Sequence, residues 1–358
     1  MNKKAKSPVM IYNELPRPTF RTIKVNHLEV EGLPNGGARA YTPQYQCQGD
    51  VSLQFYEGNG MPELGDFQGA NRDMLAQALG HANTGCAVEA APGAKGTVRL
   101  TYDVSGHMNG QLKITAQAGS DITVYIVFCG DEGDVNFLHY IQAADDAHVR
   151  IVKVQLHGDH VRHIEHRYAK AEARSVVDYV SAELGAREAI IYCKTDMMHE
   201  ESTFKSKSMY VGKDKQIIDF SYWVPMQGKK TQADIMVTGA LKDEAKKAFR
   251  GTIDFLRGSR QAVGAEADTC ILLNRNAHSI SVPLLLCKED DVVGNHASSA
   301  GQIDEDTLFY LMSRGFDYKE AQSVVVESNL RPVIDALGDD GLADQVLETV
   351  RNRMNSRI

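Results

Sequence analysis

The sequence predicts a mainly β protein of stacked short strands with a small helical tail, and three observations predict it. Between about 96 and 300 the chain is a series of β-type runs: VRLTYDV, LKITAQ, ITVYIVF, HVRIVKVQL, SVVDYVSAEL, AIIYCK, IIDFSYWV, ADIMVTGAL, GTIDFL, TCILL and VPLLL. Small and acidic clusters recur ahead of strands at AGSD (from Ala118), ADDA (from Ala144) and AEARS (from Ala171), roughly 26 or 27 residues apart. After Ile303 the apolar pattern changes to a helical period. A fixed period of this length suits stacked rungs, none of which can bury its apolar face alone. The same runs also fit a β-sandwich with irregular loops.

Residues 1–90 read as an irregular N-terminal region. Pro16, Pro18, Pro34 and Pro43 interrupt it, and Ile23, Val25 and the LEV of 28–30 supply one strand's worth of apolar alternation. Met74, Leu75, Ala78 and Leu79 are spaced for a short helix over 71–81. Residues 91–300 form the β core, with turn-like AGSD, DEGD, ADDA, HGD and GKDK between runs. In 301–358, Asp304 can cap a helix that Gly315 ends, and Asp317 can cap a second. Pro332 fits the first turn of a third, and a fourth from Leu342 carries Leu342, Val346, Leu347 and Val350 on one side. Helices this short need the β body or a partner to cover their apolar faces.

Composition excludes several functions. The net charge is −8 and no dense Lys/Arg run occurs, which argues against nucleic acid or an anionic membrane as partner. The six cysteines include no CxxC pair, so neither a disulfide framework nor a zinc ribbon is expected. No window reads as a signal peptide or a spanning helix, and a cytoplasmic setting is expected. GxSxG, Walker and GxGxxG patterns are absent, so any nucleotide chemistry has to come from a partner. His199-Glu200 starts like a zinc-protease helix, but Thr203 stands where the second histidine would be.

Residues 156–166, LHGDHVRHIEH, hold His157, His160, His163 and His166 at a spacing of three. On a strand, Val161, His163 and Glu165 face one way and Arg162, Ile164 and His166 the other. The histidines therefore diverge, and they read as polar residues on a solvated strand and turn rather than as a metal site. Acidic pairs such as Asp145-Asp146 and Asp339-Asp340 read as turns and caps, although β-helix polysaccharide enzymes do carry carboxylates on exposed strands, which supplies an alternative class.

The most informative stretch runs from Ala240 to Ala321. It contains Phe249-Arg250-Gly251-Thr252-Ile253, Asp268 to Leu273, Ser281-Val282-Pro283-Leu284-Leu285, His296-Ala297, and GQIDEDTLFYLMSRG from Gly301 to Gly315. In order and spacing this resembles the SufB/SufD family of iron–sulfur cluster assembly proteins, most strongly over about 240–325. The resemblance implies a right-handed parallel β-helix with a helical domain that docks a SufC-type ABC ATPase. It further implies a scaffold without catalysis of its own, dimerising through the end of its β-helix as a homodimer or with a SufB-like paralogue, and carrying a transient iron–sulfur cluster. It leaves open whether a flavin binds, and whether the chain keeps only the structural, ATPase-docking role.

The resemblance also proposes site residues. SufB-type proteins have a cysteine just before the D-x-x-L strand, where this chain has Ala267, and a glutamate after the motif histidine, where it has Ala297; the pattern is nearer SufD. His296 is kept and is the first candidate ligand, followed by Cys287 and then Cys270, which strand alternation turns to the opposite face from Ala267 and toward core packing. In the tail, Asp304, Leu308, Phe309, Tyr310, Leu311, Ser313, Arg314 and Gly315 match the family motif. Leu308 and Leu311 are expected to pack internally, with docking left to the helices from about Tyr318 onward.

Overall fold

The computed structural model describes residues 8–19, 25–33 and 41–355. It is a right-handed parallel β-helix of about eight turns with a C-terminal helical segment. The N-terminal strands are β1 (Val9–Tyr12), β2 (Leu28–Glu31), β3 (Gln44–Gly49), β4 (Val51–Tyr56) and β5 (Thr84–Ala90), with helix α1 (Arg72–Gly80) between β4 and β5. The body is β6 (Lys95–Ala116), β7 (Asp121–Ala143), β8 (His148–Gln155), β9 (Arg162–Ala171), β10 (Val176–Glu183), β11 (Glu188–Asp196) and β12 (Thr203–Gly212). It continues through β13 (Ile217–Met226), β14 (Gln232–Leu241), β15 (Lys246–Phe255), β16 (Ala262–Leu272), β17 (His278–Cys287) and β18 (Val292–Gly301). The tail is α2 (Glu305–Ser313), α3 (Tyr318–Ile334), a 3₁₀ turn (Asp335–Leu337) and α4 (Asp340–Asn355). Among the described residues no helix is long and apolar enough to cross a membrane.

From β8 onward every strand pairs in parallel with the strand two positions away, so even-numbered strands form one wall and odd-numbered strands the other. Parallel pairing rules out the sandwich, whose sheets are antiparallel. Strands β6 and β7 each run through both walls, bending at Gly106, Gly130 and Gly133, whose φ values are 142°, 108° and 111°. DEGD (131–134) is therefore a corner inside β7 rather than a turn between strands. Glycine is required there because the φ is positive and the preceding rung's backbone lies against the α-carbon.

The sequence period is the corner period. Gly93, Gly119, Asp146, Arg174, Glu201 and Lys230 all have φ between 57° and 71° and stack rung on rung. Their N–H groups donate to the next corner, Asp146 to Ala173 O (2.9 Å), Arg174 to Glu200 O (2.9 Å) and Glu201 to Lys229 O (2.8 Å). These buried or stacked amides are thereby satisfied outside the sheets. Asp146 also takes the Arg174 guanidinium at 2.7 and 2.8 Å, so this acidic pair is a turn, as its sequence suggests.

Each wall has an apolar outer face that needs covering. The odd wall presents Leu138, Tyr140, Ile164, Tyr168, Ile190 and Tyr192 to Tyr12, Met61, Phe67, Met74 and Leu75 of the N-terminal region. The Phe67 ring stacks on Tyr168 at 4.7 Å. Asn71 caps α1, accepting from the N–H groups of Asp73 and Met74. The LEV strand is β2, which pairs antiparallel with β1; Ile23 and Pro34 lie outside the described residues. The even wall presents Val152, Val154, Val180, Ala182, Met209 and Val211 to Val326, Leu330, Val333, Leu337, Val346 and Val350 of α3 and α4. The helical tail thus lies along the side of the β-helix. Pro332 sits inside α3 rather than opening a separate helix. It lies two residues before the helix end, so its missing N–H removes a single bond from the last turn.

The histidine run is not solvated. His157, His163 and His166 are at most 3% exposed, and only His160 lies on the surface. The alternation itself holds: His163, Glu165 and Arg167 point inside, while His166 points outward beneath the N-terminal region, where its Nδ1 accepts from Ala70 N (2.9 Å) and its Nε2 donates to Asn136 Oδ1 (2.9 Å). Inside, His157 Nε2 meets His163 Nδ1 at 3.2 Å and His163 Nε2 donates to Glu165 at 2.7 Å. Glu165 also binds Lys153 (2.9 Å) and Arg167 (2.6 Å), and Lys153 reaches Glu183 at 2.6 Å. These six polar side chains are paired with one another there, which is how a β-helix interior accommodates charge.

Candidate functional site: the open end of the β-helix

The last rung is β17 and β18. Each is paired on one side only, β17 with β15 and β18 with β16, and they end the sheet path. All of β18 except Val292 is exposed, and Val263, Ile280 and Val293 show apolar surface around it (40%, 41% and 53%). The sequence motifs assemble at this end.

Which side each residue faces follows from close contacts between the walls. Leu285 fills the space over Gly294, Ile253 and Phe255 fill that over Gly264, and the Glu266 carboxylate lies over Gly251. Gly264, Glu266, Asp268 and Cys270 on β16 therefore point inside, and by register so do Gly294, His296 and Ser298 on β18. On β17 the inward set is Ser279, Ser281, Pro283, Leu285 and Cys287.

His296 stands next to Glu266 in the β16–β18 ladder and is exposed. Cys287 is also exposed but lies elsewhere. Because Leu285 faces Gly294 and the two strands run in opposite directions, Cys287 and His296 are four residues apart along the strand axis, roughly 13 Å. One chain does not bring them together. Cys270 is buried in the apolar core, and burial pushes its thiol pKa up. Core packing is the role its surroundings support. Lys247 forms a buried ion pair with Asp268 and reaches Ser279 Oγ at 3.4 Å. Burial also pushes the Glu266 carboxyl up, to about 8. Ala267 and Ala297 are direct register partners on the outward side, so the two departures from the SufB pattern fall side by side. Among the described residues no three His, Cys, Asp or Glu side chains are grouped to hold a metal ion.

The tail motif has a physical reading residue by residue. Asp304 caps α2, accepting from Thr307 N at 2.9 Å. Leu308 is buried, Leu311 half-buried, and Ser313 Oγ donates to Tyr310 O at 2.7 Å. Arg314 lies over the Tyr310 ring at 5.1 Å, and Gly315, at φ 100°, ends the helix. Phe309, Tyr310 and Met312 remain 75%, 56% and 45% exposed, continuous in sequence with exposed Phe316 and Tyr318. The later apolar positions, from Val326 on, are spent on the even wall. The exposed apolar residues of the tail thus lie on α2 and on the first part of α3, the latter inside the segment from about Tyr318 onward on which docking was expected.

The chain is a parallel β-helix with a helical tail packed along its side and an open final rung. The family model described as "SUF system FeS cluster assembly, SufBD core domain" matches residues 98–329, and the chain belongs to the SufB/SufD family. It is 30% identical over 161 residues to the iron–sulfur cluster assembly protein SufD of Bacillus subtilis, covering 45% of this chain and 37% of that one. It is 22% identical over 264 residues to SufD of Escherichia coli, covering 72% and 62%. A SufBD family protein of Staphylococcus saprophyticus is 27% identical over 191 residues, covering 52% and 40%. The chain thus spans between about a third and two thirds of the length of these relatives.

Proposed function

We propose that this chain is a non-catalytic scaffold for iron–sulfur cluster assembly. It joins a second SufB/SufD-type chain, a copy of itself or a SufB-like paralogue, through the β17–β18 end, and it docks a SufC-type ABC ATPase through α2 and the start of α3. The observation that carries this reading is the pair of ten-residue strands closing the β-helix, each with one bare edge. A long bare edge recruits another chain unless something blunts it, and β18 carries no Lys, Arg or Pro to do so. The exposed aromatic run Phe309, Tyr310, Phe316 and Tyr318 supplies the anchors a protein partner needs. The family match and the names of the relatives support iron–sulfur assembly as the purpose, and leave the polysaccharide-cleaving alternative without a motif of its own.

The test is light scattering on the purified chain, followed by co-elution with the ATPase and measurement of ATP turnover. A dimer, or a one-to-one assembly with a SufB-like chain, together with altered turnover, is the expected result. A monomer that neither co-elutes with the ATPase nor changes its rate overturns the reading.

A further inference from the structure

The FRGTI motif holds one residue that neither the core nor the open end uses. Phe249 and Gly251 point into the β-helix, Phe249 in the apolar core and Gly251 beneath Glu266. Arg250 therefore stands on the outer face of β15. It is buried there, and its cover is the N-terminal arm, 225 residues away in sequence. Arg250 Nη1 donates to both oxygens of Asp219 on β13, at 2.6 and 2.7 Å, while its Nε donates to Val25 O of the arm at 2.7 Å. Asp219 also accepts from Asn13 Nδ2 of the arm at 2.7 Å, and the same nitrogen donates to Ile191 O on β11 at 3.2 Å. Asn13 has a positive φ of 51°, which asparagine tolerates better than most residues.

Two features say what this polar knot holds. Arg250 is the register partner of Val282 on β17, about 4.8 Å away in the next strand. Leu15 and Val25 of the arm pack against Val282 and Leu284 there. Val282 is consequently 5% exposed, whereas Ile280, two residues earlier on the same outer face, is 41% exposed. The arm thus covers the outer face of the strand whose far edge is bare. The apolar contact is small, however: among the described residues only Leu15, Val25 and Val282 are its buried members, far fewer than lie beneath α1. Directional, charge-assisted hydrogen bonds rather than apolar area therefore fix where the arm sits.

We propose that Arg250 is a positioning residue for chain–chain joining: it seats the arm over β17 and so holds that strand in place as the edge to which a second SufB/SufD-type chain adds. This deepens the scaffold reading and rests on it. Arg250, Asp219 and Asn13 are all buried, so none of them touches the second chain. They act through Leu15 and Val25, which clamp Val282. A strand paired on one side only, with nothing on its face, opens more readily than the body of the sheet. The arm supplies β17 with the cover that β18, exposed along nearly its whole length, does not have.

The experiment measures amide hydrogen exchange and sedimentation of the full chain, alone and mixed with a SufB-like chain. Wild type is compared with Arg250→Gln, Arg250→Lys, Asn13→Gly and, as a control, Arg174→Gln at an exposed corner. Circular dichroism confirms that each variant folds; Asn13→Gly, which alters only the arm, decides the matter if Arg250→Gln does not. In Arg250→Gln and Asn13→Gly the amides of Leu15 and of β17 are expected to exchange at least tenfold faster, and the dissociation constant for the second chain to rise at least tenfold. Arg250→Lys keeps the charge but cannot serve Asp219 and Val25 together, so it falls between, and Arg174→Gln changes neither readout. Faster exchange with unchanged association overturns the inference, because the arm then has a structural role alone. Unchanged exchange in the folded variants overturns it as well, and both results leave the scaffold reading intact. A wild-type chain that joins neither itself nor a SufB-like chain removes the joining step of that reading, and this inference with it.

Discussion

Glu165 offers the sharpest test of what holds the β-helix interior together. Its Oε1 accepts from Lys153 Nζ at 2.9 Å and His163 Nε2 at 2.7 Å, its Oε2 accepts from Arg167 Nε at 2.6 Å, and all four side chains are at most 1% exposed. Burial alone would raise the Glu165 pKa, but Arg167, Lys153 and His163 outweigh it and hold the carboxyl well below its ordinary value. Glu165→Gln keeps the shape and removes the charge. Lys153 and Arg167 are then left to share Glu183, at 2.6 and 3.4 Å. Breaking a buried pair on one side costs about 3–5 kcal/mol, against a total stability of about 5–15 kcal/mol for a typical domain. The assay is urea unfolding followed by the fluorescence of Trp223, the single tryptophan, alongside circular dichroism. Adding Arg167→Met should make the double variant less destabilised than the sum of the two single changes, because the second change removes one of the stranded cations. A Glu165→Gln protein within about 1 kcal/mol of wild type would refute the claim that this network is a mutually neutralised unit.

Further predictions follow from the same packing. His139 and His166 are buried and neutral, burial lowering each pKa to about 3. The unfolded chain, with histidines near 6.5, binds more protons between about pH 6.5 and 3, so stability falls as pH drops through that window, by about 1.4 kcal/mol per histidine at pH 5.5. Unfolding midpoints measured from pH 7.5 to 5.5 should fall, and less so in His166→Asn. Leu330→Ala, in the fully buried seam between α3 and the even wall, should cost about 2–5 kcal/mol in denaturant titration. Phe309→Ser with Tyr310→Ser should change stability by no more than about 0.5 kcal/mol, since both rings are exposed, yet weaken ATPase binding at least tenfold in calorimetry.

Much of the fold was legible because a β-helix writes its period into its corners. AGSD, ADDA and AEARS mark three successive positions of one stacked ladder, at which Gly119, Asp146 and Arg174 take positive φ. The helix caps Asn71, Asp304 and Asp317 were legible for a local reason: a short acceptor side chain at the right offset satisfies an otherwise bare N–H. Strands β12 and β18 were harder. β12 turns Ser206 and Ser208 inward, where each bonds the Tyr222 hydroxyl, so its inward set is partly polar. β18 has no wall beyond it and carries little apolar alternation. The histidine run was misread because a sequence shows its polarity but not Glu165 and Lys153 waiting inside. At the open end the motif around His296 was legible in the sequence, whereas the inward turn of Glu266 over Gly251 was not. A lone glutamate in an alternating strand gives no signal until the facing Gly251 is seen.

The most direct test of the account is anaerobic reconstitution with iron and sulfide, on the chain alone and with the proposed SufC-type ATPase, read by visible absorption and Mössbauer spectra. A bound cluster, diminished in His296→Ala, is the predicted result and makes this chain a working scaffold. A chain that takes up no cluster in either state, though folded and dimeric, contradicts the claim that assembly proceeds on it.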